Sequence, residues 1–256
     1  MPLERLVAQA QLLDSAQLEM LGEMAEALQQ PCEVRVDPTS DLVSKEFSDY
    51  FLNRLKIHHA TSEEKFKKVA FEYAFIAAAR YAGGSASKTK SQTFQGADVT
   101  VNGVRWSLKT EASAGISKSN IVVSKFSEAR WIRDCKTPVD FARECLPRFL
   151  AHLDEYDRIA TLRAFSEERD LVRYELVEIP KSLLMGAADL TEYDFRPRTK
   201  NGGSSALSRD SSGIAFRLIL DGSVEKVTLS RLPVQRCRVH ASWTVPTIPE
   251  DQEQSE

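Results

Sequence analysis

The sequence predicts a mixed α/β fold with a helical N-terminal region and a β-rich C-terminal part. Three observations carry this. Apolar residues recur at helical spacing through most of the first eighty positions, an Asn102-Gly103 turn signal separates two alternating runs, and strand-like runs dominate beyond residue 158. The 256 residues suit one substantial domain, and a content of 42% hydrophobic and 28% charged residues is enough to bury a core. Disordered, collagen-like and coiled-coil chains are set aside on those proportions. The most apolar stretch, residues 69–79, is broken by Glu72 and falls far short of the ~20 residues that cross a bilayer, so no membrane partner is expected. The opening Met-Pro-Leu-Glu-Arg lacks a secretory pattern, and Cys32, Cys135, Cys145 and Cys237 show neither CxxC spacing nor disulfide density. Both features point to a reducing, cytoplasmic setting. A formal net charge of -3 argues against coating nucleic acid by bulk charge and leaves room for a local basic surface.

Leu3, Leu6, Val7, Ala10 and Leu13 share a helical face, and Asp14-Ser15 can cap a second helix carrying Leu18, Leu21, Met24, Ala25 and Leu28. This stripe is read first as a cover for the protein's own core, with a dimer interface as the alternative. Pro31 ends the run, residues 32–36 alternate like a short strand, and Ser40 or Asp41 can cap a helix that buries Leu42, Val43, Phe47, Tyr50, Phe51 and Leu55. A longer helix is expected over 61–81, where Thr61 with Glu64 fits a capping box and Gly83-Gly84 supplies the stop. Glu72 falls among its most apolar residues, where an unpaired carboxylate is costly. Residues 85–93 read as a polar loop. Beyond the hairpin come a short strand over 120–124, helical segments over 127–133 and 139–154, and strands over 158–165 and 171–179. A Gly/Ser-rich loop at 201–205 then leads to a hairpin over 214–229 turned by Asp221-Gly222, a last strand near 234–243, and an acidic tail, 248–256, expected to be disordered.

The Asn102-Gly103 hairpin concentrates chemistry. A two-residue turn opposes Val101 to Val104, Thr100 to Arg105, Val99 to Trp106 and Asp98 to Ser107. Alternation then puts Arg105, Ser107, Lys109 and Glu111 on one face, with Val104, Trp106 and Leu108 on the other. Opposed Cβ atoms lie about 5 Å apart and diagonal ones about 7–8 Å, so a carboxylate, a hydroxyl, an ammonium and a second carboxylate converge on one patch. Hydrolysing a phosphodiester needs a divalent cation on hard oxygen ligands, a positioned water, and positive charge for the developing anion. Asp98 can bind Mg²⁺ directly. Glu72, presented from the preceding helix, can be a second ligand or hold a ligand water, and Glu111 could do the same from the strand. Lys109 can orient the attacking water and counter the charge building on phosphorus. The plainer alternative is an Asp98–Lys109 surface salt bridge beside a solvated Glu72.

Glu72 on a helix, Gly96-Ala97-Asp98-Val99 on one strand and Ser107-Leu108-Lys109-Thr110-Glu111 on the next resemble the PD-(D/E)xK nuclease superfamily. Within it the chain is most similar to type II restriction endonucleases and to the mismatch-repair nicking enzyme related to them. The resemblance spans roughly residues 61–180. It implies a restriction-endonuclease-like mixed β-sheet core flanked by helices, and Mg²⁺-dependent cleavage of DNA. Asp98 matches the motif aspartate and Lys109 the motif lysine. Ser107 departs from the pattern, standing where Asp or Glu is expected, and a serine is a poor metal ligand. Members of the superfamily relocate the second acid to a neighbouring helix, the role Glu72 could fill.

A DNA surface has its own signature. Between Lys181 and Arg238 lie ten basic and six acidic residues, and Arg196-Pro-Arg198-Thr-Lys200-Asn201-Gly-Gly combines forked donors with a flexible polar backbone. Lys88, Lys90 and Lys118 are further candidates for phosphate contacts near the hairpin. His58-His59 has no third ligand at zinc spacing and reads as solvated, while His152 and His240 are isolated. Neither a phosphate loop nor a Gly-x-Ser-x-Gly nucleophile elbow is present. The expected organisation is a helical region over 1–60, a catalytic core over 61–180 and a β-rich DNA-recognition part over 181–247. The expected activity is that of a type II restriction endonuclease, working as a homodimer on double-stranded DNA. A structure-specific nicking nuclease of repair or phage origin and a non-catalytic DNA-binding module are the rivals.

Overall fold

Asn102 and Gly103 take φ of 50° and 81° in the computed structural model, which describes residues 2–89, 97–168 and 170–247. Two positive φ angles in succession give the turn whose twist matches the paired strands. The pairing follows the expected register, with Val101 against Val104, Thr100 against Arg105 and Val99 against Trp106.

In chain order the elements are α1 (Pro2–Ala10), α2 (Ser15–Gln29), β1 (Glu33–Val36), α3 (Lys45–His59), α4 (Lys68–Tyr81), β2 (Ala86–Lys88), β3 (Val99–Val101) and β4 (Val104–Glu111). They continue as β5 (Asn120–Glu128), α5 (Pro138–Asp154), β6 (Arg158–Glu167), β7 (Leu171–Ile179), α6 (Lys181–Met185), β8 (Ser204–Asp210), β9 (Gly213–Asp221), β10 (Lys226–Pro233) and β11 (Arg238–Pro246). Seven strands form one sheet in the order β1-β11-β7-β6-β4-β3-β2, and four form a second in the order β5-β10-β9-β8. The larger sheet is mixed because β4 and β6 pair in parallel, joined by a crossover through β5 and α5, while its other neighbours are antiparallel. Its two strands β1 and β11 come from outside residues 61–180, so the sheet that carries the hairpin is closed by both ends of the chain.

Alternation assigns each face of that sheet to a different core. Trp106, Leu108, Leu162, Tyr174 and Trp243 meet Phe47, Phe51, Phe71 and Phe75 of α3 and α4. On the opposite face Ile159, Val177 and Ile179 pack with Phe141, Phe149 and Leu153 of α5, and that same core reaches Phe126, Phe216 and Leu218 of the smaller sheet. The residues predicted for chemistry, Ser107, Lys109 and Glu111, therefore lie on the side where the two sheets approach.

Four departures from the sequence reading have physical causes. Helix α4 begins at Lys68 because Phe66 is buried and its N–H donates to the Tyr174 hydroxyl at 3.0 Å, which holds the preceding segment out of helical geometry. The Thr61–Glu64 capping box accordingly does not form. Helix α3 is capped by Ser44, whose hydroxyl accepts from Phe47 N–H at 3.2 Å. The Ser40 hydroxyl accepts likewise from Val43 N–H at 2.8 Å and bonds His240 Nδ1 at 2.8 Å, but no helix follows it. Part of the expected 201–205 loop is strand β8, which Gly203 brings so close to β9 that a Cβ there would lie 2.2 Å from the Leu220 carbonyl oxygen. Finally, α1 and α2 do not cover the core. No α2 side chain is buried, and Leu3, Leu6, Val7 and Leu18 face solvent, because α3 and α4 already occupy that face of the sheet. Lys56 ties the end of α2 to α3 by donating to the carbonyls of Leu28 and Gln30 at 2.9 and 2.6 Å. The acidic tail and Lys90 lie outside the described residues. Among the described residues no helix is long and apolar enough to cross a membrane.

Candidate active site

Asp98 stands where the hairpin strands begin to part. Its N–H donates to the Trp106 carbonyl at 2.8 Å, the last rung of that ladder. One step further, the N–H of Leu108 donates instead to Asp98 Oδ2 at 2.6 Å, and the Ser107 hydroxyl approaches the same oxygen at 3.5 Å. One carboxylate oxygen is thus fixed by the strand, and Oδ1 is left for other partners.

Glu72 lies one turn into α4 and is only 4% exposed. The price of burying that carboxylate is met by two lysines. Lys88 on β2 lies 2.8 Å from Oε2, and Lys68 at the start of α4 lies 3.7 Å from Oε1. The same Lys68 ammonium is 2.7 Å from Asp98 Oδ1. The helical glutamate and the strand aspartate therefore share one cation. Neither plainer expectation survives: Glu72 is not solvated, and the cation on Asp98 is Lys68, not Lys109.

Lys109 extends into the space between the two sheets, where its Nζ approaches the Phe126 carbonyl of β5 at 3.4 Å. Loss of water brings its pKa down to about 8, against the pull of Asp98 and Glu72 and with help from Lys68 and Lys125. Thr161 stands beside it across the parallel β4–β6 pairing. His152 meets Phe126 and Tyr156 edge-on, with ring centroids 4.9 and 5.6 Å apart. The Thr161 Oγ1, Tyr156 Oη and His152 Nε2 atoms are buried without a hydrogen-bond partner among the described residues. Burial first, and then the charge of Lys109, depresses the pKa of His152, so this histidine, isolated in the sequence, is a neighbour of the motif lysine.

Two hard carboxylate oxygens that already hold an ammonium between them are a donor set suited to Mg²⁺, which takes one or two carboxylates and completes its shell with water and phosphate oxygens. The model of the SmaI type II site-specific deoxyribonucleases matches residues 7–245. The chain belongs to the SmaI family. It is similar to the type II restriction enzyme SmaI of Serratia marcescens, at 36% identity over 211 residues that cover 80% of this chain and 82% of that one. No solved structure matches it. As a SmaI-family protein the chain is a type II restriction endonuclease, a site-specific enzyme acting on double-stranded DNA, and the expected restriction-endonuclease-like fold class stands.

Not every predicted residue joins the pair of acids in this SmaI-family enzyme. Glu111 is buried with both oxygens committed elsewhere: Oε2 accepts from Arg163 Nε at 2.7 Å and Oε1 from Val122 N–H at 2.9 Å. Burial raises its pKa in spite of the guanidinium. Lys118 is exposed in the β4–β5 loop, and Arg196, Lys200 and Asn201 are exposed ahead of β8. Arg198 is instead tethered, its Nη1 donating to the Cys135 carbonyl. His59, expected in solvent, is buried, with Nε2 bonded to Tyr174 Oη at 2.8 Å and Nδ1 to the Ser62 carbonyl at 3.0 Å.

A second acidic group, Asp41 with Glu178 and His240, brings its ligand atoms within 4.8 Å of one another. Arg158 forks onto both acids, 2.8 Å from each, and stacks 4.3 Å over Trp106, while both nitrogens of His240 are taken by Ser40 and Glu178. That group carries its own fixed cation and reads as structural.

Lys68 is the site residue the sequence reading missed. Its only signal is the i, i+4 spacing to Glu72, which is common on helices and ordinarily marks a surface pair.

Proposed function

We propose that Asp98 and Glu72 hold Mg²⁺ and that Lys109 positions the water that attacks the scissile phosphate. The ammonium shared by Asp98 Oδ1 and Glu72 Oε1 carries this reading, because it marks a place between two fixed acids that favours positive charge. Bound there, Mg²⁺ would supply charge to a phosphoryl oxygen and acidify a coordinated water. The chain's own residues do the rest. Leu108 N–H and the Ser107 hydroxyl hold Asp98 Oδ2, so Oδ1 is presented in one orientation. Lys109, with a pKa lowered to about 8, can hold a water at Nζ and exchange a proton with it near neutral pH. Glu111 supports β4 from behind through Arg163 and is not a ligand in this proposal. Lys88 holds Glu72 in place, Lys90 and Lys118 are assigned to DNA phosphates, and Arg196, Lys200 and Asn201 to the recognition part of 181–247, in which Arg198 anchors the loop.

Cutting both strands of a symmetric site needs two active sites related by a dyad, so we assign a homodimer, working in the cytoplasm. The uncovered apolar side of α1 and α2 supports it, and a monomeric mass by light scattering, with and without DNA, would overturn it. The test of the chemistry is cleavage of mixed-sequence plasmid DNA with Mg²⁺. Discrete fragments from the wild type, with Lys109→Ala binding DNA in Ca²⁺ yet not cutting, support the assignment. Equal cutting by Lys109→Ala removes it.

A further inference from the structure

Among the described residues, Lys68 is the cation that reaches both acids. Lys88 is equally open to solvent, 48% against 44% exposed, but pairs with Glu72 alone and lies over the Tyr73 ring at 5.2 Å, whereas Asp98 Oδ2 is fixed by a strand N–H and its Oδ1 is left to Lys68. The Lys68 ammonium lies 2.7 Å from Asp98 and only 3.7 Å from Glu72. Arg158 between Asp41 and Glu178 shows the contrary arrangement: a planar fork, bidentate on Glu178 and Asp41 and stacked on Trp106, with no freedom to leave. An ammonium and a divalent ion repel strongly at such separations, so one place between the acids cannot hold both.

We propose that Lys68 is a displaceable place-holder, whose ammonium bridges Asp98 and Glu72 in the metal-free enzyme and moves to a DNA phosphate when a divalent cation takes its place. The inference rests on the reading that these two acids form the cation site. Two consequences of opposite sign follow. In the free enzyme the bridge competes with the ion, so apparent metal affinity is reduced by the fraction of molecules in which the bridge is open. In the metal-loaded enzyme the released lysine adds one phosphate contact, so metal and DNA each favour the binding of the other. A lysine that merely props the helix would not weaken one ligand and strengthen the other.

The test uses the full chain and two binding measurements that need no turnover. Mn²⁺ binding without DNA is followed by the electron paramagnetic resonance of the free ion, and binding of a short mixed-sequence duplex in Ca²⁺ by fluorescence anisotropy. Lys68→Met should bind Mn²⁺ about tenfold tighter if the bridge is closed nine-tenths of the time. The same variant should bind the duplex several-fold more weakly in Ca²⁺, with a salt slope smaller by about one. Lys67→Met removes an adjacent charge that pairs with Glu64 and should leave Mn²⁺ affinity unchanged. Unchanged or weaker Mn²⁺ binding by Lys68→Met, or equal tightening by Lys67→Met, overturns the place-holder. Unchanged duplex affinity overturns its transfer to phosphate. Asp98→Asn that still binds Mn²⁺ as the wild type does would instead remove the cation site on which the inference stands.

Discussion

The Nε of Arg163 lies 2.7 Å from Oε2 of Glu111, and both side chains are buried. The same guanidinium reaches Glu175 at 3.2 Å and the carbonyls of Ser117 and Asn120, so it pins the loop after β4 to β6. Removing one partner leaves an uncompensated buried charge. Arg163→Met should therefore cost about 3–5 kcal/mol in urea unfolding. Glu111→Gln should likewise act through stability. A Glu111→Gln enzyme that unfolds like the wild type yet fails to cut would return Glu111 to the catalytic site.

Asp98→Asn is expected to separate folding from chemistry in the other direction. An amide oxygen can still accept from Leu108 N–H, so the unfolding midpoint should stay close to that of the wild type, while cleavage in Mg²⁺ is lost. Chelation by EDTA should abolish cutting by the wild type in the same way.

His59 makes stability fall on the acid side. The Ser62 carbonyl can only accept, so Nδ1 carries the proton and Nε2 accepts from the Tyr174 hydroxyl, which in turn accepts from Phe66 N–H. Burial pulls the pKa of His59 down to about 4. Between that value and the ordinary 6.5 the unfolded chain binds a proton the folded chain refuses, so this stabilisation is complete above about pH 6.5 and shrinks towards pH 4, by up to about 3 kcal/mol. Urea unfolding at pH 7 and pH 4.5 measures it, and a slope unchanged in His59→Gln would refute the assignment.

Lys109 acts at the other end of the scale. Its folded pKa of about 8 lies below the unfolded value, so between the two the unfolded chain holds the extra proton and stability rises with pH. Below pH 8 the protein carries the cost of a buried ammonium. In EDTA, Lys109→Met should be more stable than the wild type at pH 7, by about 2–3 kcal/mol, and the gap should close towards pH 10. A methionine variant less stable at pH 7 contradicts this.

Two glycines should respond differently to alanine. At Gly103 nothing lies within 4 Å of a Cβ, so Gly103→Ala pays only for φ of 81°, about 1 kcal/mol. At Gly203 the Cβ would lie 2.2 Å from the Leu220 carbonyl oxygen, so β8 must shift away from β9 and the cost should reach about 1–3 kcal/mol. Unfolding curves of the two variants, with duplex binding for Gly203→Ala, check the contrast.

Within residues 181–247, Arg196 has no side-chain partner among the described residues, whereas Arg198 holds the Cys135 carbonyl. Arg196→Ala should weaken duplex binding with little change in stability and lower the salt slope by about one. Arg198→Ala should lower stability as well. A salt slope unchanged by Arg196→Ala would exclude a phosphate contact there.

Much of the hairpin was legible in the sequence because its determinants are local. Asn102 and Gly103 accept positive φ, and strict alternation leaves one register that buries Val99, Trp106 and Leu108. Asp98 beside Ser107 follows from that register alone. The buried glutamate in an apolar helix was also legible as a charge in need of a partner, although the partners, Lys68 and Lys88, were not. Helix starts were read less well. Ser40 and Thr61 are both good caps by type, yet Ser40 caps only a single turn and also bonds His240, and Tyr174, far along the chain, takes the Phe66 N–H that a helix from Thr61 would have used.

What the sequence by itself determined is which residues could meet across a two-residue turn, because backbone sterics and a period of two act over a few positions. Which acid lies beside Asp98 was decided only in the folded chain. Glu111 and Glu72 were equally available as second ligands until β6 brought Arg163, fifty-two positions away, onto Glu111, and α4 carried Glu72 to within reach of the ammonium on Asp98. Charge pairing in a water-poor interior is settled by whichever counter-ion the packing delivers, and no local pattern encodes that delivery.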